Sequence, residues 1–254
     1  MQLTMLGVGS SAGTPVVGCK CGTCLSSNPR NTRTRCSSLI TLETGENILI
    51  DSGPDLRQQA LRENITRVDA VLYTHTHADH LHGIDDLRAF CQLQRMQIPL
   101  FAMQDAVEHI TVKFGYTLRE PCNYWDLPVL KVESINKPFK LFNTLITPIP
   151  VMHGKSAIFG YRIGNLAYLT DVSEIPEASF DLLQGLDLLL IDCLRDSVHP
   201  THINVEQSLG YASRINAKQS YMIHMTHELE YDALTTRLPK NVFAGYDGLK
   251  INFN

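Results

Sequence analysis

No run of about 18 apolar residues occurs anywhere in the 254-residue chain, so no membrane-spanning helix is expected. The opening residues, Met1-Gln-Leu-Thr-Met-Leu-Gly7, have neither a positive region nor an apolar stretch of signal length, and the expected compartment is the cytoplasm. No Pro/Gly/Ser-rich linker or charge run divides the sequence, and there is no internal repeat or low-complexity segment. The expectation is one domain over 1–254. Basic charge is scarce: 22 Lys and Arg stand against 26 Asp and Glu, for a net charge of −4. That balance gives a long nucleic acid little to hold and leaves small anionic substrates open. Seven cysteines is an odd number, and a reducing cytosol disfavours pairing them as disulfides.

What is present is a cluster. His75-Thr-His77-Ala-Asp79-His80 brings four metal-ligand side chains together directly after Asp69-Ala-Val-Leu-Tyr-Thr74, which reads as a buried strand. In an extended segment residues two apart face the same way, so His75 and His77 suit one ion. Asp79 and His80, where the chain turns into an expected helix over 80–93, aim elsewhere and suit a second ion. The missing ligands follow other β-rich runs: His153 after Pro150-Val-Met152, Asp171 after Ala167-Tyr-Leu-Thr170, and His224 after Ser220-Tyr-Met-Ile223. A lone strand-end His or Asp is usually structural, so the inference rests on the set. His75, His77, His153 and Asp171 would hold one ion; Asp79, His80, Asp171 and His224 would hold the other, with Asp171 bridging. Imidazole suits Zn and Fe, and two carboxylates also admit Mn. Two such ions about 3.5–4 Å apart lower the pKa of a trapped water toward about 7 and present hydroxide as a nucleophile.

A second metal motif is Gly18-Cys19-Lys-Cys21-Gly-Thr-Cys24, in a cysteine-rich loop at about 17–36. A structural zinc wants four ligands and this C-x-C-x₂-C knuckle supplies three. His227, three residues past His224, is the expected fourth, with Cys36 as its rival. Cys91, Cys122 and Cys193 lie in apolar contexts and are expected as core thiols.

Expected strands cover 3–6, 38–42, 47–51, 69–74, 130–134, 144–151, 157–163, 166–170, 186–192, 221–224 and 249–253. Expected helices cover 55–62, 80–93, 104–113, 176–184, 205–214 and 228–238. Hairpin-like pairs open the first half and recur in the second. Two facing sheets with helices outside, a four-layer αβ/βα sandwich of the α/β class, would satisfy this pattern. Every proposed dinuclear ligand would then lie along one edge.

The motif His75-x-His77-x-Asp79-His80 with His153, Asp171 and His224, and the strand-end turn Asp51-Ser-Gly53, resembles the metallo-β-lactamase superfamily, in the variant whose second aspartate bridges two metals. The likeness runs from Leu3 to Tyr246-Asp247-Gly248. More narrowly, the knuckle, His153-Gly-Lys-Ser156 followed by Phe159-Gly-Tyr161, and the His224/His227 pair resemble the PhnP-like cyclic-ribosyl-phosphate phosphodiesterases. That resemblance implies a structural zinc on Cys19, Cys21, Cys24 and His227. It also implies action on the substrate and leaving group by His202, in His199-Pro-Thr-His202-Ile-Asn-Val205, with His199 the alternative by proximity. The expected activity is hydrolysis of a small, plausibly cyclic, phosphodiester, with Asp79 and His202 as catalytic residues.

Three rival readings stand beside it. A tRNA-processing endonuclease needs a large basic arm, and no extended Lys/Arg-rich insertion occurs here. Thioester or lactam hydrolysis uses the same hydroxide. A noncatalytic metal- or nucleotide-binding module would use the ions structurally. Among softer candidates, Lys155, Ser156, Arg33 and Arg35 are within sequence reach of an anion, and Asp247 is a candidate to brace a ligating histidine. His82 and His109 are expected on helix surfaces. The segment 114–128, with Tyr124 and Trp125, is expected either to cover the pocket or to make a homodimer contact.

Overall fold

Neighbouring side chains of β3 (Asn47–Ile50) and β4 (Ala70–Leu72) leave on opposite faces, and both faces are apolar. Ile48, Ile50, Ala70 and Leu72 enter a core between two sheets, while Leu49, Val71 and the following Tyr73 enter a second core under helices. A sheet covered on both faces follows from this double burial. The computed structural model describes residues 1–118 and 130–253. In them the first sheet runs β14 (Lys250–Asn252), β1 (Gln2–Gly7), β2 (Ser37–Thr41), β3, β4, β5 (Ile98–Ala102), β6 (Leu130–Ser134). The second runs β13 (Val242–Ala244), β12 (Gln219–Ile223), β11 (Leu188–Asp192), β10 (Leu166–Leu169), β9 (Ser156–Ile163), β8 (Thr144–His153), β7 (Phe139–Leu141). Each sheet changes from antiparallel to parallel pairing partway across, at β3 to β4 and at β10 to β11.

Helices cover the outer faces. Leu56 and Ala60 of α1 (Leu56–Glu63), Leu87, Phe90 and Cys91 of α3 (Leu87–Gln94), and Ala106 and Ile110 of α4 (Gln104–Phe114) share the core of the first sheet's outer face. Their spacings of three and four are those of one helical face. On the second sheet, Val205, Ala212 and Ile215 of α5 (Val205–Ile215), capped at Asn204 by a reciprocal box with Gln207, do the same. The expected four-layer sandwich is the fold observed.

Two expected helices are shorter than their patterns. The 80–93 segment breaks into a single turn, α2 (Ala78–Leu81), a 3₁₀ turn at Ile84–Asp86, and α3. A Cβ on Gly83 would lie 2.0 Å from the Gly53 carbonyl oxygen, so backbone contact, not helical continuation, sets the chain there. The 228–238 segment keeps only α6 (Tyr231–Thr235), because the chain before it is tied down at the Thr226 and Leu229 carbonyls by Arg33. The 176–184 segment is 3₁₀ over Glu177–Leu183. Three strands went unexpected: β5, whose pattern Pro99 interrupts, and the short β7 and β13. Among the described residues no helix is long and apolar enough to cross a membrane.

The parallel strands put their carboxyl ends on one edge. Asp51 follows β3, His75 lies just past β4, Asp171 past β10, Asp192 ends β11, and His224 follows β12. Two bonds join the sheets beside this edge: Phe159 N–H donates to Thr74 O at 3.2 Å, and Tyr161 Oη to Tyr73 O at 2.6 Å.

Candidate metal centre

All seven expected dinuclear ligands converge, in two groups that share Asp171. Its Oδ2 faces His75 Nε2 at 3.7 Å and His153 Nε2 at 4.0 Å, while its Oδ1 faces His80 Nε2 at 3.1 Å and His224 Nε2 at 3.4 Å. Thr170 Oγ1 donates to Oδ1 at 2.7 Å and helps fix the carboxylate's orientation. His77 packs edge-on to His75, ring centroids 4.6 Å apart, and Asp79 Oδ2 lies 3.3 Å from His80 Nε2 and 3.6 Å from His224 Nε2. Asp51, Asp171 and His224 all hold φ near +60°, a region costly for residues with a Cβ by of order 1 kcal/mol each. Such turns bring strand-end side chains back over the sheet edge.

The proton positions suit cations. Thr74 Oγ1 donates its only proton to Asp51 Oδ2 at 2.8 Å, so it accepts from His75 Nδ1 at 3.0 Å. His80 Nδ1 donates to the same carboxylate at 2.7 Å, and His153 Nδ1 donates to Thr201 O at 2.8 Å. With Nδ1 engaged, each of these rings directs Nε2 inward as the atom left to meet a cation. His75 Nε2, His80 Nε2 and His224 Nε2 are buried and have no hydrogen-bond partner among the described residues. Buried nitrogens left bare in this way, around a two-oxygen carboxylate, fit divalent cations. In the metal-free protein the charges couple strongly. Burial opposes ionised Asp171, but His224, His80 and His75 outweigh it and hold its carboxyl well below the usual range. Burial likewise opposes charge on His80, and Asp171 and Asp51 overcome it, raising that ring well above its ordinary value. His75 goes the other way, lowered by burial and by the neighbouring His80.

His202 lies over the centre, stacked on His224 at 4.9 Å with 10° between the rings, its Nε2 3.9 Å from Asp171 Oδ2. Asp192 Oδ2 accepts from its Nδ1 at 3.0 Å, and the other Asp192 oxygen lies 3.6 Å from His224 Nδ1. His199 is farther out, its Nδ1 accepting from Thr201 N–H at 3.3 Å. Two cavities flank the centre. One of about 340 Å³ is lined by His77 and His153 with Met103, His109 and Ser156; one of about 280 Å³ is lined by His202 and His224 with Val16, Arg195 and His227.

In the knuckle, His227 Nδ1 stands 3.3 Å from Cys19 Sγ, 3.3 Å from Cys21 Sγ and 3.4 Å from Cys24 Sγ. Tetrahedral zinc with bonds of about 2.3 Å to sulfur and about 2.0 Å to nitrogen sets such edges near 3.5 Å, so the four groups fit that ion. The Cys24 N–H and His227 pull the Cys21 thiol down to about 6, toward the thiolate a metal requires. Cys36, the rival ligand, is elsewhere: buried 3.3 Å from Tyr168 Oη, where burial pushes its thiol up to about 12.

Several softer expectations are corrected. Asp247 braces no ligating histidine; it accepts from Val8 N, Thr34 N and Thr34 Oγ1 and pairs with Arg62 at 3.1 Å, tying the first loop to the C-terminal turn. Arg33 is buried and donates to Thr226 O and Leu229 O, and Arg35 pairs with Asp55 at 3.0 Å, so neither is spare for an anion. Lys155 is exposed, as is His82, while His109 is half-buried against the larger cavity. Cys91 and Cys193 are buried thiols as expected; Cys122, Tyr124 and Trp125 lie outside the described residues. The bracing carboxylates that sequence reasoning missed are Asp51 and Asp192. Both end apolar runs, Asn47-Ile-Leu-Ile-Asp51 and Leu188-Leu-Leu-Ile-Asp192, just as Asp171 does, and that repetition was the available signal.

Residues 46–225 match the model of the β-lactamase superfamily domain. A crystal structure of a new diphosphatase from the PhnP family is 38% identical, with a TM-score of 0.93, covering 100% of this chain and 98% of that one. The octanoyltransferase of Porphyromonas gingivalis is 38% identical over 255 residues, 98% of this chain but 51% of its own length, so the chain spans about half of that relative. Zn²⁺-bound PqqB from Methylobacterium extorquens, 18% identical with a TM-score of 0.79 over 100% of each chain, shares the fold. With the family model matched across the segment that carries the ligands, and 38% identity to a PhnP-family protein along the whole chain, this protein belongs to the metallo-β-lactamase superfamily and, within it, to the PhnP family.

Proposed function

We propose that this metal-dependent hydrolase is a phosphodiesterase with a dinuclear centre, cleaving a small phosphodiester, cyclic ones included. The observation that carries the reading is the division of Asp171's oxygens between two sets of bare imidazole nitrogens, with His202 poised above them. Two bound divalent cations, Zn or Mn or Fe, supply an acidified water and offset the charge that builds on a phosphoryl group. His75, His77 and His153 hold one side, Asp79, His80 and His224 the other, and Asp171 serves both. Asp192 keeps the proton of His202 on Nδ1 while the ring is neutral; once protonated, the ring carries a second proton on Nε2, directed toward the centre, for the leaving oxygen. A zinc on Cys19, Cys21, Cys24 and His227 is part of the proposal and is structural.

The name of the PhnP-family structure, a diphosphatase, supports phosphoryl chemistry. The test is turnover of bis(p-nitrophenyl) phosphate, lost on chelation, restored by Mn²⁺ or Zn²⁺, and lost in His77→Ala. Folded, metal-loaded protein that cleaves no phosphodiester would contradict the reading. Thioester hydrolysis is the second reading, since the same hydroxide attacks acyl carbonyls and a relative matched over half its length is named an octanoyltransferase. An octanoyl-thioester assay run beside the diester assay decides between them. The cytoplasm is the proposed compartment, and a small anionic diester the proposed partner.

A further inference from the structure

The two metal systems open on the same cavity. From His224 the chain reaches His227 in three residues, through Met225, whose N–H donates to Val8 O at 2.9 Å, and Thr226, whose carbonyl takes Arg33 Nη1 at 2.8 Å. On the knuckle side, Val16 N–H donates to Cys24 Sγ at 3.3 Å and Cys19 N–H to Val16 O at 3.0 Å, so Val16 moves with the sulfurs. Val16, Ala12 and His227 line the 280 Å³ cavity together with His199, His202 and His224. His199 accepts at Nδ1, which leaves its Nε2 proton free to donate. Arg195, on the same rim, is paired with Glu228 at 3.5 Å.

We propose that the segment carrying Ala12 and Val16, held at Val16 by the cysteine knuckle, borders the subsite for the substrate's leaving arm, so that its side chains select leaving arms by size. The proposal rests on the phosphodiesterase reading. If His202 protonates the leaving oxygen, the group attached to that oxygen departs past His202 and meets Val16 and Ala12. The cavity beside His77 and His153 then receives the retained arm. The ligand class is an uncharged aryl or hydroxylated alcohol bearing hydrogen-bond acceptors.

The test uses full-length, metal-loaded protein carrying Val16→Trp, with zinc measured alongside. Methyl 4-nitrophenyl phosphate and methyl 4-methylumbelliferyl phosphate differ only in the leaving arm. Thymidine 5′-(4-nitrophenyl phosphate) has the smaller leaving arm and a large retained one. Metal content should stay at the wild-type value, while KM for the umbelliferyl ester rises about tenfold more than KM for either nitrophenyl ester. Binding of free 4-methylumbelliferone, followed by its fluorescence, should weaken by a similar factor. Ala12→Phe narrows the same cavity from a residue bonded to no sulfur and should give the same selectivity even if Val16→Trp perturbs the knuckle. The proposal is overturned if the three KM values move together in both variants, if the effect follows the retained arm, or if umbelliferone binding is unchanged. Absence of diester turnover in the wild type would instead remove the phosphodiesterase reading.

Discussion

Asp51 Oδ2 accepts a hydrogen bond directly from His80 Nδ1 at 2.7 Å and, through Thr74 Oγ1, orients His75 as well, so one buried carboxylate governs a nitrogen in each half of the candidate centre. Asp51→Asn should therefore weaken both ions, not one. Bracing carboxylates of this kind are worth about 10–100-fold in metal affinity. Competition with a chelator should show that loss at both positions, whereas Asp247→Asn, whose contacts are with the first loop and Arg62, should leave affinity unchanged.

His202→Ala should keep both ions and lower kcat by about 10²–10⁴, most for diesters with poor leaving groups. Loss of metal in this variant would move His202 from proton donor to ligand. Asp192→Asn should share the leaving-group dependence, because it mispositions the same ring.

Metal uptake by the apoprotein should strengthen as pH rises. Burial opposes charge on His224, but Asp171, Asp79 and Asp192 overcome it and push its pKa up to about 9. Below that value an incoming cation must displace a proton, so affinity should rise by up to about tenfold per pH unit per proton released as pH climbs toward about 9. In the apoprotein the same raised pKa contributes stability that is full below about pH 6.5 and lost as pH rises through about 9. Calorimetric titrations in buffers of different ionisation enthalpy count the protons; no buffer dependence would contradict this reading.

Cys21→Ser should remove the knuckle zinc and spare the other two ions, with a melting temperature lower by about 5 °C. Cys36→Ser should keep all three, since Cys36 lies against Tyr168. Metal analysis with thermal melts checks both.

The candidate ligands were legible because metal-ligand spacing is written locally. The run from His75 to His80 is contiguous, and His153, Asp171 and His224 each close a β-rich run, which tells a reader that they share a sheet edge. Strand burial was legible from a continuous apolar run, as in Ala70-Val-Leu-Tyr73, whose side chains enter both cores. Bracing was not legible: Asp51 is 29 residues from His80, and only the folded edge brings them together. The role of Asp247 stayed open between two readings for the same reason, since nothing local says whether a turn carboxylate meets an imidazole or a row of backbone amides. Periodicity overran at 80–93 because the apolar spacing continues through Gly83 although the backbone contact with Gly53 does not allow the helix to.

The shared carboxylate is the central claim, and anomalous diffraction from crystals soaked in Mn²⁺ tests it most directly. The account predicts two peaks about 3.5–4 Å apart, one on each oxygen of Asp171, and loss of both in Asp171→Ala with the knuckle zinc intact. A single peak, or two that survive removal of Asp171, would contradict it.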